Sequence, residues 1–330
     1  MDNTRKKRVL LLAPDFFGYY KEIKKGLTAQ GWDVDVILEN FVNQSYLYRF
    51  FYVKNDKLKK RYTRKYYINK FAKMDDGYDC IFVIRGEALS TELLRILKNN
   101  NPEAVFIMYQ WDSARNNKNA LLIENEFDRI YTFDIEDAKD YGWIYRPLFF
   151  LENKELIKTN KDIDFAFIGT LYYKRALLFK RICDYCRNNN LSLFHYLYCP
   201  KLVYYIHKYI MHDSRYSIVK RDEVEFIPLK NEFLIEQYKK TKILVDYTAD
   251  DQTGLTMRTI ESIGYDCKII TNNKKIMETN LYEYGNVFVY DIEDFDIPKE
   301  FIDKEYSPLP EDLYNYYSLT GWINSIFEDI

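Results

Sequence analysis

The first half of the chain alternates short, continuous apolar runs with longer segments in which apolar residues recur every three or four positions. Such runs predict buried β-strands, and the periodic segments predict amphipathic helices. The predicted strands are RVLLLA (8–13), DVDVIL (33–38), DCIFVIRG (79–86), AVFIMYQW (104–111), DRIYTF (128–133) and WIYRPLF (143–149). A helix at 19–31 is closed by Gly31, and a helix at 90–100 has Ser90 as its N-cap. Continuous apolar strands separated by helices predict a parallel sheet that is covered on both faces.

The same alternation restarts after a polar stretch, LENKELIKTNKD (151–162), which predicts a linker. A helix is predicted at 174–189, and the tail at 311–330 predicts a helix pair or one kinked helix. The predicted strands of this half are 163–170, 191–199, 224–229, 243–247, 268–271 and 287–291. Two alternating halves predict an α/β protein with two tandem Rossmann-like, doubly wound domains.

The predicted domain boundaries follow this pattern: a first domain at 1–150, the linker at 151–162, a second domain at 163–310 and the C-terminal segment at 311–330. In doubly wound sheets, ligands bind beyond the carboxyl ends of the strands. We therefore expect a ligand-binding cleft between the two domains.

Composition and charge narrow the class of protein. The chain has 330 residues, of which 47% are hydrophobic, which is enough for two packed cores. Its net charge of -2 argues against a general nucleic-acid binder. Between residues 54 and 73, however, bases alternate with Tyr and Phe. This segment is typical of contact with an anionic membrane surface or an anionic lipid-linked substrate, or else of a solvated helix face.

The cysteines and the apolar segments indicate the compartment. Cys183 and Cys186 form a C-x-x-C motif inside an amphipathic helix with no nearby His, which favours half-buried structural thiols in a reducing compartment. The apolar run near the N-terminus is too short for a signal peptide, and no stretch approaches the length of a membrane span. We expect a cytoplasmic protein, peripheral at the inner membrane face if the segment 54–73 binds lipid.

Charged residues and a glycine follow the predicted strands of the first half. They are Asp15 and Gly18 after the first strand, Arg85 and Glu87 after the third, and Asp112 and Arg115 after the fourth. Gly18 begins a helix, so free backbone N–H groups point at a ligand there. Asp15 and Asp112 are candidates for a general base that activates an incoming hydroxyl. For Asp15, the alternative is a loop residue that caps the following helix.

The second half contains two strand–loop–helix segments with cations at the helix starts. FAFIGTLYYKR places Gly169 and Thr170 at the end of a strand and Arg175 in the first helical turn. VDYTADDQTGLTMRTIES places Arg258 and Glu261 on one helical face. Arginine and helix N–H groups suit a pyrophosphate, and a carboxylate suits the two hydroxyls of a ribose. The pair therefore predicts a nucleotide site; the alternative is a surface ion pair worth roughly a few tenths of a kcal/mol.

Several segments together resemble GT-B glycosyltransferases. They are FIGTLYYKR, TGLTMRTIESIGYDCKIITNN, YQWDSARN, FDRIYTFDIEDAKDYG and the terminal YYSLTGWINSIF. The resemblance spans nearly the whole chain and is closest to CgeB-like members and to those that assemble bacterial capsule or lipopolysaccharide. It implies a sugar-nucleotide donor held by the second domain, an acceptor held mainly by the first, no metal, and a last helix that crosses back to the first domain.

The resemblance also implies residue roles. Glu261 would bind the ribose and Arg258 the diphosphate. Gly169 and Thr170 would line the donor pocket. Taken with the strand-end and helix-start positions above, we expect donor binding by Gly169, Thr170, Arg175, Tyr247, Thr253, Gly254, Arg258 and Glu261, and an acceptor side with Gly18, Arg85, Glu87 and Arg115. Many retaining members carry a Glu eight positions before the ribose Glu, where this chain has Thr253. The choice between inversion and retention of configuration therefore stays open, and an inverting displacement with Asp15 or Asp112 as the base is a hypothesis.

Metal-dependent sugar transferases bind their metal through an Asp-x-Asp motif, so its occurrence in this sequence bears on whether a metal is expected. It occurs at 33–35, 162–164 and 294–296, which is about what chance gives at this Asp content. We therefore expect no metal and no cofactor besides the nucleotide-sugar substrate.

Three functions remain compatible with the sequence. The leading one is sugar transfer from a nucleotide-diphosphate donor to a glycan or lipid-linked acceptor in surface polysaccharide assembly. The second is a nucleotide-sugar epimerase or hydrolase of the same fold, which needs further acid and base groups; His195, His207 and His212 all lie away from the candidate loops. The third is a glycosyltransferase-like protein that binds nucleotide sugar or glycan without turnover.

Overall fold

The computed structural model describes residues 5–39, 56–74, 76–152, 160–171, 174–249 and 252–330. The chain forms two compact units. Unit 1 comprises Met1–Leu148, Asp251–Gly254 and Leu319–Ile330, and unit 2 comprises Phe149–Asp250 and Leu255–Ser318. Residues 153–159 of the predicted linker lie outside the described residues.

Unit 1 is built on a six-stranded parallel sheet. Its strands are β1 (Arg8–Ala13), β2 (Asp33–Leu38), β3 (Cys80–Ile84), β4 (Val105–Gln110), β5 (Arg129–Thr132) and β6 (Ile144–Tyr145), in the order β2-β1-β3-β4-β5-β6. Every residue of β3 is buried, because helices cover both faces of a parallel sheet. All six predicted strands of the first half are present, although the sixth has only two residues.

The helices of unit 1 are α1 (Tyr19–Ala29), α2 (Asp56–Phe71), α3 (Thr91–Asn100), α4 (Asn119–Ile123) and α5 (Ile135–Tyr141), with a 3-10 turn at Glu124–Glu126. Gly18 precedes α1 at a φ of 75°, a left-handed conformation that glycine adopts without strain. Ser90 caps α3 and accepts a hydrogen bond from the Leu93 N–H, which confirms the predicted N-cap.

The basic stretch at 54–73 forms α2, except that residues 54 and 55 lie outside the described residues. Tyr67 and Phe71 are buried against the unit, while most of the bases are exposed. Arg64 pairs with Glu92 at 2.6 Å. Membrane contact through this helix stays a prediction. Among the residues described, none of the helices combines the length and the apolar character that crossing a bilayer requires.

Unit 2 is built on a five-stranded parallel sheet. Its strands are β7 (Ile163–Thr170), β8 (Leu193–Tyr198), β9 (Thr241–Val245), β10 (Lys268–Thr271) and β11 (Val287–Val289), in the order β11-β10-β9-β7-β8. The strand predicted at 224–229 is wrong: Glu225 forms only an isolated bridge with Tyr198. Pro228 has no backbone N–H to donate to a ladder, so the alternating pattern there does not extend into a strand.

The helices of unit 2 are α6 (Arg175–Asn188), α7 (Lys201–Tyr205), α8 (Ser214–Ser217), α9 (Asn231–Lys240), α10 (Met257–Gly264), α11 (Lys299–Asp303) and α12 (Glu311–Tyr317). Shorter turns are a π-helical turn at Ile206–Ile210 and 3-10 turns at Arg221–Glu223, Lys274–Glu278 and Tyr282–Tyr284. Cys183 and Cys186 lie in α6 as free thiols. Burial raises the pKa of Cys183 to about 11 and that of Cys186 to about 12, as expected for structural thiols.

The C-terminal segment divides at Ser318. The helix that follows, α13 (Leu319–Ile326), belongs to unit 1, which confirms the expected return of the last helix to the N-terminal domain. Trp322 is fully buried, and its ring lies 4.8 Å from that of Tyr109 and 5.8 Å from that of Phe82. Gly26 of α1 leaves room for Ile323, since a side chain at Gly26 would crowd it. Two parallel sheets with interleaved helices confirm the predicted α/β architecture.

Candidate functional site

Four of the predicted donor-binding residues gather at the carboxyl edge of the unit 2 sheet. β7 and β9 are adjacent and parallel, so Gly169 and Thr170 at the end of β7 lie near Tyr247, which follows β9. Arg175, the first residue of α6, spans this edge. Its Nη2 atom donates to the Tyr247 carbonyl at 3.4 Å, and its Cζ atom lies 5.7 Å from the Tyr247 ring centroid. The Arg175 side chain thus has a defined position at the end of two parallel strands.

The Arg175 side chain lies next to Gly169 at the end of β7. The Cδ atom of Arg175 is 3.6 Å from the position that a Cβ atom on Gly169 would take, which is an ordinary van der Waals contact. Thr170 is exposed at the last position of the strand, and Gly169 is half-buried. This edge therefore combines a cation, a hydroxyl group and accessible backbone, the groups that bind phosphate and sugar hydroxyls.

The carboxylate of Asp246, directly after β9, was missed by sequence reasoning. Asp246 is buried, and its two oxygens accept hydrogen bonds from threonine hydroxyls. Thr256 donates at 2.9 Å and Thr271 at 3.1 Å, while Thr248 and Thr259 lie at 3.3 and 3.4 Å. The hydroxyl of Tyr290 donates to the Asp246 carbonyl at 2.7 Å. The sequence signal that could have identified it is an acidic residue right after an apolar strand, followed by several threonines.

Arg258 is held by this carboxylate. Its Nη1 atom donates to Asp246 Oδ1 at 3.3 Å, and its side chain is 18% exposed. Burial disfavours the charge, but Tyr238 and Asp246 together raise the pKa of the guanidinium above its ordinary value. The Nε atom is buried and has no hydrogen-bond partner in the part of the chain that the structure describes. Arg258 is therefore a cation with a fixed position, at the start of α10 beside Glu261.

Thr253 and Gly254 belong to unit 1, where Asp134 binds them. The buried Asp134 carboxylate follows β5 and accepts hydrogen bonds from the Thr253 N–H at 3.2 Å, the Thr253 hydroxyl and the Gly254 N–H at 3.0 Å. It also caps α5 through the Glu136 N–H. A side chain at Gly254 would overlap the ring of Phe133. The observed contacts of both residues are structural, and their donor-binding role stays a prediction.

The charged residues predicted after β3 and β4 meet at the carboxyl edge of the unit 1 sheet. Arg85 pairs with Glu87 at 2.9 Å and with Asp112 at 3.0 Å. Arg85 has a φ of 75°, which is uncommon for a residue with a side chain. Its carbonyl accepts hydrogen bonds from Gln110 and Asn117, both at 2.7 Å, and these bonds hold the loop in place. Backbone strain of this kind is concentrated at functional sites in proteins.

The pKa of Asp112 is raised by burial, and Arg85 opposes this effect. The carboxylate is therefore more basic than that of an ordinary Asp, while the neighbouring guanidinium favours its charged form. These two properties suit a general base. By contrast, Asp15 and Arg115 are exposed and form no ion pair with the residues that the structure describes.

Glu39, directly after β2, is a further carboxyl group at this edge that sequence reasoning missed. It is 5% exposed and accepts a hydrogen bond from the Ala88 N–H at 3.0 Å. Burial raises its pKa to about 8, with the Ala88 N–H and Arg85 opposing the shift. Unit 1 thus places carboxyl groups of Glu39, Glu87 and Asp112 near Arg85. Within the described ranges, no group of three or more His, Cys, Asp and Glu side chains is arranged to hold a metal ion.

No protein-family model matches this chain, and no curated protein matches it. Several solved structures, however, are similar to it in fold. HepE of Anabaena in complex with UDP-glucose is 10% identical, with 97% of this chain and 98% of that chain covered and a TM-score of 0.55. The UDP-GlcNAc 2-epimerase of Neisseria meningitidis bound to UDP-GlcNAc is also 10% identical, with 97% and 98% covered and a TM-score of 0.52.

A chain of the glycosylation-associated Gap123 complex from Streptococcus agalactiae matches at 14% identity and a TM-score of 0.43. The match covers 80% of the present chain but only 54% of that one. At these identities a likeness shows the fold alone. Together with the two parallel sheets, the matches above a TM-score of 0.5 confirm that the chain has the GT-B fold.

Proposed function

We propose that this protein is a glycosyltransferase that moves a sugar from a nucleotide-diphosphate donor to a glycan or lipid-linked acceptor. Its place would be surface polysaccharide assembly, such as capsule or lipopolysaccharide, the role that the sequence resemblance implies. The observation that carries the proposal is the arrangement of Arg175 against Gly169 and Tyr247 at the carboxyl ends of β7 and β9. Such edges are where doubly wound sheets bind nucleotides.

The donor class follows from the chemistry of that edge. Arg175 would bind the diphosphate, because a planar guanidinium matches phosphate oxygens and stays charged. Arg258, whose side chain is 18% exposed, would supply a second cation, and Glu261 on the same helix would accept hydrogen bonds from the ribose. The complex of the similar HepE structure with UDP-glucose supports a UDP-linked donor.

The acceptor would be activated by a carboxylate of unit 1. Asp112 is the better candidate of the two predicted bases, because burial raises its pKa and Arg85 holds it at 3.0 Å. Arg85, Glu87, Gly18 and Arg115 would contribute to acceptor binding. A lipid-linked acceptor would place the protein at the cytoplasmic membrane face, where the bases of α2 would meet anionic lipids. The reaction would need no metal.

A nucleotide-sugar epimerase is the second candidate, and one observation favours it. The sequence offered few acid and base groups for such a reaction, but Glu39 joins Glu87 and Asp112 around Arg85. Two of these carboxyl groups have raised pKa values, as acid–base catalysis near neutral pH requires. The fold likeness to a UDP-GlcNAc 2-epimerase is compatible with this alternative.

The test begins with donor binding. Thermal denaturation with UDP, GDP and dTDP and their sugars should show a rise in melting temperature for one nucleotide, because a ligand that binds only the folded state stabilises it. Arg175→Ala should abolish this rise, and Arg181→Ala, an exposed arginine of the same helix, should retain it. A rise that survives unchanged in Arg175→Ala would refute the proposed donor site.

Turnover then separates the functions. Release of the nucleotide that depends on an added acceptor supports a transferase. A changed sugar configuration in the absence of acceptor supports the epimerase. Donor binding without any turnover supports a non-catalytic binding protein. Activity that is lost in EDTA and restored by a divalent cation would contradict the expected metal independence.

A further inference from the structure

A helical segment of unit 2 turns its apolar residues toward water. The segment runs from α7 through the π-helical turn, from Lys201 to Ile210, and ends at Met211. Its outer face, as we call it, comprises Leu202 (64% exposed), Val203 (37%), Tyr205 (38%), Tyr209 (58%), Ile210 (73%) and Met211 (61%). A surface helix normally buries its apolar stripe and exposes its polar one. This reversal indicates a surface that is covered when the protein works.

The polar groups of the same segment make hydrogen bonds and ring contacts on its inner side. Tyr204 is fully buried, and its hydroxyl donates to the Val219 carbonyl at 3.4 Å. Lys208 donates to the Tyr204 hydroxyl at 2.8 Å and to the Val219 carbonyl at 2.6 Å. The ring of His207 stacks on that of Tyr216 at 4.7 Å. These contacts fix the rotation of the helix, so the apolar residues cannot turn inward without breaking them.

The π-helical turn shapes the exposed surface. The Met211 N–H donates to the Ile206 carbonyl at 2.9 Å, a spacing of five residues that is rare in proteins and frequent at functional sites. Tyr205 and Tyr209 stack with ring centroids 5.7 Å apart, so two phenol groups lie side by side on the outer face. Phe226 lies 6.0 Å from Tyr205 and is followed by Ile227, which is also exposed. The apolar surface therefore extends beyond the helix.

Positive charge predominates around the outer face. From 200 to 212 the chain contains no carboxylate, two lysines and two histidines. Lys220 and Arg221 add exposed positive charge, and the Arg221 guanidinium lies 4.1 Å from the Phe226 ring centroid. The nearest acids are Asp213, which is 12% exposed and lies 3.3 Å from His207 Nδ1, and the exposed Asp222 and Glu225. Apolar side chains, tyrosines and flanking cations are the composition that binds the interface of an anionic bilayer.

We propose that the outer face is a membrane-binding surface, which inserts its apolar side chains into the headgroup region of a bilayer rich in anionic lipids. The helix α2 is a less suitable candidate for insertion. Its exposed residues are mainly bases, and Leu58 is its one large apolar side chain exposed among those described. Such a helix provides electrostatic attraction, whereas the outer face provides both attraction and buried apolar area.

The test is flotation of the full chain with vesicles of phosphatidylcholine, prepared with and without phosphatidylglycerol. The wild-type protein should bind the anionic vesicles. Leu202→Ser/Ile210→Ser should weaken binding by about tenfold or more, because the variant lacks two large apolar side chains that the bilayer would otherwise bury. The matched control is Leu122→Ser in unit 1, where Leu122 is 74% exposed, and it should bind as the wild type does. Lys201→Glu should reduce binding to the anionic vesicles selectively.

Three results would overturn the proposal. One is a wild-type protein that floats with neither vesicle, and another is equal binding by the wild type and by a folded Leu202→Ser/Ile210→Ser variant. The third is a wild-type dimer in light scattering that the double substitution converts to a monomer while neither protein binds vesicles, because a second copy would then cover the outer face. None of these measurements depends on catalytic activity, so their failure leaves the proposed transfer reaction untouched.

Discussion

Arg258 and Asp246 form an ion pair at the carboxyl edge of the unit 2 sheet, with Nη1 and Oδ1 3.3 Å apart. The Asp246 side chain is 1% exposed, and threonine hydroxyls satisfy its remaining lone pairs. The carboxylate therefore cannot move toward water, and it fixes the guanidinium at the start of α10. A cation that the sequence predicts to bind a ligand thus has a buried structural partner.

Asp246→Asn should destabilise the protein by about 3 kcal/mol, because it leaves a part-buried guanidinium without its compensating charge. Urea denaturation measures this change, and Asp222→Asn, which alters an exposed acid of the same unit, should change stability by less than about 0.5 kcal/mol. In Asp246→Asn/Arg258→Met the loss should be smaller than the sum of the two single losses, since both partners of one pair are removed. Additive losses would show that the two side chains are not coupled.

The alternation of strands and helices could be predicted because it rests on local patterns. A strand such as β3 that is buried on both faces must be apolar throughout, and this unbroken apolar run is visible in the sequence. The exception at 224–229 has a pattern like that of a strand, but Pro228 and the preceding 3-10 turn limit it to one bridge, between Glu225 and Tyr198. A local sequence pattern does not show whether a segment has a neighbouring strand to pair with.

The partners of the site residues could not be predicted, because they depend on strand order. The adjacency of β7 and β9 brings Arg175 against Tyr247, although the two residues are 72 positions apart. The same holds for Asp134, which follows β5 and binds Thr253 across 119 positions. Sequence reasoning placed charges at strand ends correctly but could not tell which of them would pair with each other.

Glu39→Gln should remove a pH dependence of stability. The pKa of Glu39 is about 8 in the folded protein and near its ordinary value in the unfolded chain, so the folded state binds more protons between these values. Folding is therefore favoured at low pH, and this contribution is lost as the pH rises through about 8, by an amount on the order of 4 kcal/mol.

The measurement for Glu39 is the free energy of unfolding from urea titrations at about pH 5 and about pH 8, the range in which the two protonation states differ. Relative to the wild type, Glu39→Gln should gain stability as the pH rises, while its side-chain carbonyl can still accept the Ala88 hydrogen bond. Glu103→Gln, at an exposed acid of the same unit, should follow the wild-type profile. Parallel profiles for Glu39→Gln and the wild type would contradict the buried, protonated carboxyl.

Gly254→Ala should destabilise unit 1 by about 1–3 kcal/mol, because the added methyl group would overlap the buried ring of Phe133. Phe133→Leu in the same protein should recover part of the loss by making room. Gly169→Ala is the matched control, because its methyl group would meet Arg175 at 3.6 Å, an ordinary contact. Thermal denaturation measures all four proteins, and an equal effect of the two glycine substitutions would refute the packing explanation.

Asp112→Asn should lower turnover of the wild-type reaction by about 10²–10⁴-fold while leaving donor binding intact, the effect of removing a general base. Asp15→Asn should have a much smaller effect, because Asp15 is exposed and lies outside the ion pairs of Arg85. Steady-state kinetics measures the turnover of the two variants, and the donor-induced rise in melting temperature measures their donor binding. Near-normal turnover in both, with intact donor binding, would exclude both carboxylates as the base.

The pH profile tests the same assignment independently. A base works only when deprotonated, so activity should fall as the pH drops through the pKa of Asp112, which burial places above that of an ordinary Asp. Arg85 opposes this shift, so Arg85→Gln should raise the pKa further and move the acidic limb of kcat/KM to higher pH. Arg95→Gln removes the same charge from a pair with Glu126 and should leave the limb in place. An acidic limb that stays fixed in Arg85→Gln would mean that a group other than Asp112 titrates there.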